Sequence, residues 1–414
     1  MLETFGDFPV AIRRLRNGLF GAHLDRFAEV LAERGYAKFS AWWQFKLLGK
    51  FDRWLVREKH TLLDLDDKLV EEFVEVRRRA NILRHGDAVA IHRFVEHLRD
   101  QRIISRPVVV VEPSEIERLK ERYAKFLREE RGLSPLTLDN YWPFPNRFLS
   151  SCFGDGPLKL QELTPADVSS FVVRHAQVVS PGQVKMLPTA LRSFLRFLFQ
   201  KGEVGIDLAA VVPSIKQRRQ TGLPKFLSAE DVERLVATCD RSTPGGRRDY
   251  AMFLLFARLG LRAGEVATLD LDHINWRAGE LLISGKGLLH DRLPLLPDVG
   301  EALAEYLQRD RPESSTRRVF LRIKAPHVAL SVRSSLSTIV KRAVQRAGIQ
   351  VPMGGAHLFR HSLATNMLRG GASMAEIGEV LRHRSPNTTE IYAKVDFDGL
   401  RALAQPWPAA GCAV

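Results

Sequence analysis

Cysteine is scarce in this chain: Cys152, Cys239 and Cys412 are the three among 414 residues, and they stand far apart. No CxxC pair and no Cys/His cluster occurs, so neither a disulfide framework nor a zinc site is indicated. That pattern fits a reducing cytosol. A secretory leader is missing as well, because the opening Met-Leu-Glu-Thr-Phe-Gly-Asp has acids where a basic region belongs. Apolar runs such as Met252-Phe-Leu-Leu-Phe-Ala257 are far too short to span a bilayer, and no membrane partner is expected. There is no GxxxxGK(S/T) loop for a nucleoside triphosphate. Nor is there a compact carboxylate cluster of the kind a two-metal nuclease uses. The expectation is a cytoplasmic protein that works without a cofactor and without a metal.

Positive charge is what the chain has in excess. Its 62 Lys and Arg against 48 Asp and Glu give a formal net charge of +14. Such a balance favours a polyanionic partner, of which nucleic acid is the commonest. Solvated surface arginines are the plain alternative. The length allows two to four domains, and local composition separates three regions. Residues 1–106 contain segments at 27–33, 45–56 and 67–79 with apolar residues three and four apart, which read as amphipathic helices. Arg106-Pro-Val-Val-Val-Val-Glu-Pro113 then reads as an extended linker. Residues 114–212 are helical again. Thr164-Pro-Ala-Asp167 has the form of a helix start, with Thr as N-cap and Pro at the first position.

The first two regions look alike. Glu33-Arg-Gly35 precedes an aromatic-rich helix and Leu63-Asp-Leu-Asp66; Glu130-Arg-Gly132 precedes an aromatic-rich stretch and Glu162-Leu-Thr-Pro165. The spacing, close to a hundred residues, suggests duplication of one small helical DNA-binding module, with chance likeness of amphipathic helices as the alternative. A basic linker at 213–225, carrying Lys216, Arg218, Arg219 and Lys225, is suited to tracking a phosphate backbone. The third region, 226–414, opens at Ser228 with a helix-start signal. Two short strands are expected at 280–284 and 291–295, joined by a loop around Gly285-Lys-Gly287. Helices follow, one through 357–368 and another behind the capping box Ser373-Met-Ala-Glu376.

This third region holds an ordered set of polar residues suited to attack on a phosphodiester without a metal. Charge building on the nonbridging oxygens must be met by fixed cations. Arginine suits this because its planar fork binds two oxygens and stays charged. Arg262 and Arg360 are the candidates. His357 and Arg360, three apart, share one helix face while Phe359, Leu363 and Met367 bury the adjacent one. Lys286, between two glycines, has the freedom to protonate a leaving hydroxyl. His383 precedes Tyr392, and Ser385 or Asn387 is expected to cap a helix that presents the tyrosine. A tyrosine nucleophile would conserve bond energy in a covalent link and need no ATP. Each residue alone reads more simply as a surface or core side chain; their order argues otherwise.

Taken together these residues resemble the tyrosine recombinase (phage integrase) family, of the kind carried by transposons and plasmids. The matching stretches run from Ala257-Arg-Leu-Gly-Leu-Arg-Ala-Gly-Glu265 through Ile283-Ser-Gly-Lys-Gly287 and His357-Leu-Phe-Arg-His-Ser-Leu-Ala-Thr365 to Val380-Leu-Arg-His-Arg-Ser-Pro-Asn-Thr-Thr-Glu-Ile-Tyr392. The likeness implies a mainly α fold: helical N-terminal DNA-binding modules, with 114–212 as a core-binding domain, and a mainly helical catalytic domain with a small antiparallel sheet. It implies Arg262 and Arg360 on the scissile phosphate, Lys286 as general acid and His357 assisting proton transfer. His383 would donate to a phosphate oxygen, Tyr392 would form a 3′-phosphotyrosyl link, and Glu265 would support Arg262. Double-stranded DNA is the implied partner, cut and rejoined by a homotetramer, with or without sibling recombinases, in integration or transposition of a mobile element. Two positions depart from the pattern: Phe359 where the family usually has Leu, and Arg382 where it often has Gly. Leu400, Leu403 and Trp407 lie in a tail that, in the family, docks on a neighbouring subunit. A type IB topoisomerase, a catalytically silent DNA-binding protein and a helical scaffold are the rival readings.

Overall fold

The computed structural model describes residues 2–5, 8–106, 113–154, 156–178, 181–214, 225–285, 290–331, 335–351, 355–395 and 401. Both expected linkers fall largely outside these residues, as do Lys286 and the tail residues Leu400, Leu403 and Trp407.

The N-terminal segment is helical throughout: α1 (Pro9–Arg16), α2 (Gly21–Glu33), α3 (Lys38–Arg57), α4 (Asp67–Arg79) and α5 (Asp87–Asp100). Phe27, Phe45, Phe51 and Phe94 form its fully buried centre. Local chemistry sets the ends of α4. Asp66 accepts from the Leu69 amide at 2.9 Å, and Arg77, Arg78 and Arg79 occupy the last turn, where cations meet the negative end of the helix dipole. Arg77 is buried, and its charge is answered by the equally buried Asp87 at 2.8 Å.

The next segment holds α6 (Glu115–Lys125), α7 (Pro135–Tyr141), α8 (Pro143–Phe153), α9 (Pro165–Ala176) and α10 (Pro181–Gln200). Its own core gathers Tyr123, Phe148, Leu191 and Phe194. Thr164 caps α9 in a reciprocal box with Asp167, and Pro165 stands in the first turn. The two segments share part of their element order. A 3₁₀ turn at Leu62–Asp64 leads through the Asp66 cap into α4; a 3₁₀ turn at Leu160–Glu162 leads through the Thr164 cap into α9. The single α3 corresponds to the pair α7 and α8, which Pro143 separates.

The last segment builds α11 (Ala229–Ala237), α12 (Pro244–Leu259) and α13 (Ala263–Ala267) before a sheet of β1 (Ile274–Asn275), β2 (Glu280–Ser284) and β3 (His290–Pro294). The sheet is antiparallel in the order β1-β2-β3, with Leu281 opposite Leu293 and Ser284 opposite His290. Strand β3 starts one residue earlier than the sequence suggests. Alternation along β2 turns Leu281 and Ile283 inward. Then come α14 (Pro297–Arg309), α15 (Ser335–Arg346), α16 (His357–Arg369) and α17 (Met374–Val380). Helix α12 runs through the core, fully buried from Ala251 to Phe256, with Phe253 and Phe256 against Phe359 of α16.

By packing, the chain divides into two compact units: 1–107 together with 222–414, and 108–221. Within the first unit, the Arg34 carbonyl accepts from the His327 amide at 3.4 Å.

Candidate active site

The site begins where α12 ends. Gly260 takes a left-handed φ of 57° and closes the helix. A Cβ there would lie 2.7 Å from Leu381 Cδ2 and 3.0 Å from Leu363 Cδ2, so glycine is required by backbone and by space alike. The turn delivers Arg262 to the N-cap of α13. Glu265, three residues on, accepts from the Arg262 amide at 2.8 Å and from Arg262 Nη1 at 2.7 Å. The capping carboxylate therefore also holds the guanidinium, whose side chain stays 41% exposed and available.

Arg360 is buried on α16. Its Nη1 donates to the Gly260 carbonyl at 2.6 Å and its Nη2 to the Leu381 carbonyl. It thus ties the end of α12 to the end of α17 with two charge-assisted bonds. Burial, then the neighbouring charges of Arg262 and Arg382, pull its pKa down to about 10. It remains a cation at neutral pH.

His357 opens α16 at the surface. Partial desolvation, then Arg360 and Arg262, hold its imidazole below the ordinary value. His383 bonds Thr389 Oγ1 through Nδ1 at 2.8 Å. Desolvation and the charges of Arg360 and Arg262 bring its pKa down to about 4, so it is neutral under physiological conditions. Tyr392 is only 2% exposed. Burial raises its hydroxyl pKa, with Arg360 acting in the opposite sense. Of the six residues singled out in the sequence, the structure brings Arg262, His357, Arg360, His383 and Tyr392 into one electrostatic neighbourhood. Lys286 lies outside the described residues; the strands that flank it, β2 and β3, are paired to Ser284 and His290.

One local expectation fails. Tyr392 does not sit on a capped α-helix. Two 3₁₀ turns, Pro386–Thr388 and Glu390–Val395, carry it, and Ser385 makes no side-chain cap. The Tyr392 amide bonds the Thr389 carbonyl at 3.0 Å, the short i→i+3 spacing.

Two residues were missed. His361, one turn after His357, has Nδ1 3.0 Å from the Tyr392 hydroxyl, with the rings edge to face. Its place directly after Arg360 was the available signal. Arg382, noted only as a departure from a common glycine, takes a left-handed φ of 54°. Its Nη2 donates to Glu265 Oε2 at 2.8 Å, and its Nε lies 3.6 Å from Asp291 Oδ2 on β3. One carboxylate thus serves two arginines. The Arg382 side chain is 9% exposed, and its Nε and Nη1 make no hydrogen bond among the described residues. Among those residues, no group of three or more His, Cys, Asp or Glu is placed to hold a metal ion.

Residues 225–398 match the phage integrase family. An integrase/recombinase of Sinorhizobium fredii (strain NBRC 101917 / NGR234), y4rA, is 43% identical over 98% of this chain and 99% of its own length. The tyrosine recombinase XerD of Listeria monocytogenes (serovar 1/2a, strain EGD-e) is 32% identical over 67% of this chain and 94% of its own. Among solved structures, the XerH site-specific recombinase in its post-cleavage complex with difH shares the fold. It has a TM-score of 0.55 and 22% identity, covering 70% of this chain and 84% of that one. The Tn1549 transposon integrase, in complex with circular intermediate DNA, aligns at a TM-score of 0.50 and 14% identity, covering 70% and 99%. The chain therefore belongs to the phage integrase family, the tyrosine recombinases, and is a site-specific DNA recombinase.

Proposed function

We propose that this recombinase cuts duplex DNA with Tyr392 and conserves the bond as a 3′-phosphotyrosyl link. The observation that carries the reading is the cluster itself: a buried tyrosine within the field of Arg360, with Arg262 held half-exposed by Glu265. Arg262 and Arg360 bind the scissile phosphate and meet the charge that builds on its nonbridging oxygens. Tyr392 Oη attacks phosphorus and the P–O5′ bond breaks. The proton of Tyr392 passes to His361 Nδ1, 3.0 Å from the hydroxyl, with His357 assisting; Lys286 protonates the departing 5′-oxygen. Neutral His383 donates to a phosphate oxygen. In the second half of the reaction, the 5′-hydroxyl of the exchanged strand attacks the phosphotyrosine and releases Tyr392.

Duplex DNA as substrate is supported by the net charge of +14 and by the DNA complexes of the XerH and Tn1549 proteins. We assign 114–212 to core binding, 213–225 to the basic linker, 226–414 to catalysis and 1–106 to an added helical domain. The working form is a homotetramer on DNA, alone or with sibling recombinases, moving a mobile element. Free thiols at Cys152 and Cys239 agree with work in the cytosol. The test is a nicked suicide duplex that carries the element's end. Wild type is expected to be trapped as a covalent DNA adduct, and Tyr392→Phe to form none. An adduct formed by Tyr392→Phe refutes the assignment.

A further inference from the structure

Helix α3 displays a stripe that the catalytic cluster does not use and that meets the core only at Trp43. Phe39, Trp43, Lys46, Lys50 and Arg53 follow one another at intervals of four and three residues, and so lie along one face. The stripe runs about 20 Å at the helical rise of roughly 1.5 Å per residue. Phe39 is 85% exposed, an unusual position for a large aromatic ring. Opposite it stands α1, which adds Arg14, and the two helices bound a groove of ≈ 740 Å³. Among the described residues no Asp or Glu lines this groove. Nor do Arg14, Lys46, Lys50 or Arg53 form an ion pair among them, although most other arginines of this segment do.

We propose that this face of α3, with Arg14 across the groove, is a DNA-binding surface that engages the backbone of duplex DNA. Lys46, Lys50 and Arg53, along about 10 Å of α3 at the helical rise, with Arg14 across the groove, suit the phosphate backbone, where the negative charge of duplex DNA recurs every ~1.7 Å along the axis. Phe39 and Trp43 at one end supply apolar contact with sugars or thymine methyl groups. A protein partner would need a strongly acidic, aromatic-tolerant surface; DNA offers both features in one polymer. The element order adds support that rests on the core-binding assignment made above. The segment that carries the stripe repeats the order of the segment assigned to core binding, with α3 in the place of α7 and α8. The inference does not depend on the catalytic assignments.

The test uses the full chain and a labelled random-sequence 40-base-pair duplex, with affinity read by anisotropy from 50 to 200 mM salt. Lys46→Ala/Lys50→Ala/Arg53→Ala is expected to weaken binding about tenfold or more. It should also flatten the slope of log K against log salt by roughly 0.9 for each lost phosphate contact. Phe39→Ser is expected to weaken binding severalfold and leave the slope unchanged, because it removes contact without charge. Both changes are at exposed positions, so the melting temperature should hold. As a second measurement, a photocrosslinking phenylalanine analogue at position 39 is expected to label the duplex. Tyr392→Phe should bind like wild type, which separates this result from the chemistry. Unchanged affinity and slope in the triple variant, absence of crosslinking, or a loss confined to a single-stranded 40-mer would each overturn the proposal.

Discussion

At the scale of single residues, Glu265 organises the pocket. One carboxylate answers Arg262 and Arg382, so the three groups together keep one net positive charge close to buried Arg360. Burying a cation with unpaired nitrogens is costly unless an anion arrives, and the scissile phosphate is such an anion. Arg382 also occupies a backbone conformation that glycine adopts freely. Arg382→Gly should therefore fold at least as well as wild type while lowering the positive potential of the pocket. Loss of one charge at this range is worth on the order of 1–2 kcal/mol, or roughly tenfold in rate. The expected outcome is slower adduct formation on the suicide duplex at nearly unchanged DNA affinity. An unchanged rate would remove Arg382 from the pocket's electrostatics. Nothing adjacent in the sequence announces this role, because Glu265 and Arg382 are brought together by the tertiary fold alone. The His361–Tyr392 contact was hidden for the same reason. Arg262, Arg360, His383 and Tyr392 were legible because their local motifs are dense with turn glycines, caps and fixed spacing.

At the scale of elements, helix ends do most of the positioning. The left-handed stop at Gly260 throws Arg262 onto the next helix start and leaves a carbonyl for Arg360. Gly260→Ala should cost on the order of 2–4 kcal/mol, from the left-handed backbone and the crowding against Leu381 and Leu363. Thermal melting checks the loss, and adduct formation should fall with it. Gly264→Ala is the control: open space surrounds that position inside α13, and stability should hold or rise by about 0.5–1 kcal/mol. Capped helices were the part of the fold best read from sequence. Thr164, Ser228 and Ser373 each accept the amide that their spacing implies. Such caps are local chemistry, settled within four residues. Strand β1, two residues long, carries no period to read, and it exists only because β2 lies beside it. The 3₁₀ turns under Tyr392 were misread because a capping residue marks a helix start without fixing how tightly the turns that follow are wound.

At the scale of the molecule, the chain builds separate cores rather than one. The cluster around Tyr123, Phe148 and Phe194 belongs to the 108–221 unit, and the other large clusters belong to 1–107 and 222–414. Units with independent cores need not unfold together. Denaturant unfolding should therefore show more than one transition. Phe194→Ala, which opens a cavity costing about 3–5 kcal/mol, should move only one of them. A single shared transition that shifts as a whole would show the units to be energetically coupled. The matching turns at Leu62–Asp64 and Leu160–Glu162 are one reason why the first two regions look alike in sequence.

Concealment of Tyr392 bears on how such an enzyme lives beside a chromosome. With its hydroxyl on His361 and almost none of its surface exposed, the proposed nucleophile is out of reach of any duplex that merely brushes past. A genome offers millions of wrong sites for each right one. Binding preference alone would leave every mistaken encounter a chance to become a break. A hidden nucleophile divides the decision in two, first where to sit and then whether to uncover, so that errors at the first stage end in departure rather than damage.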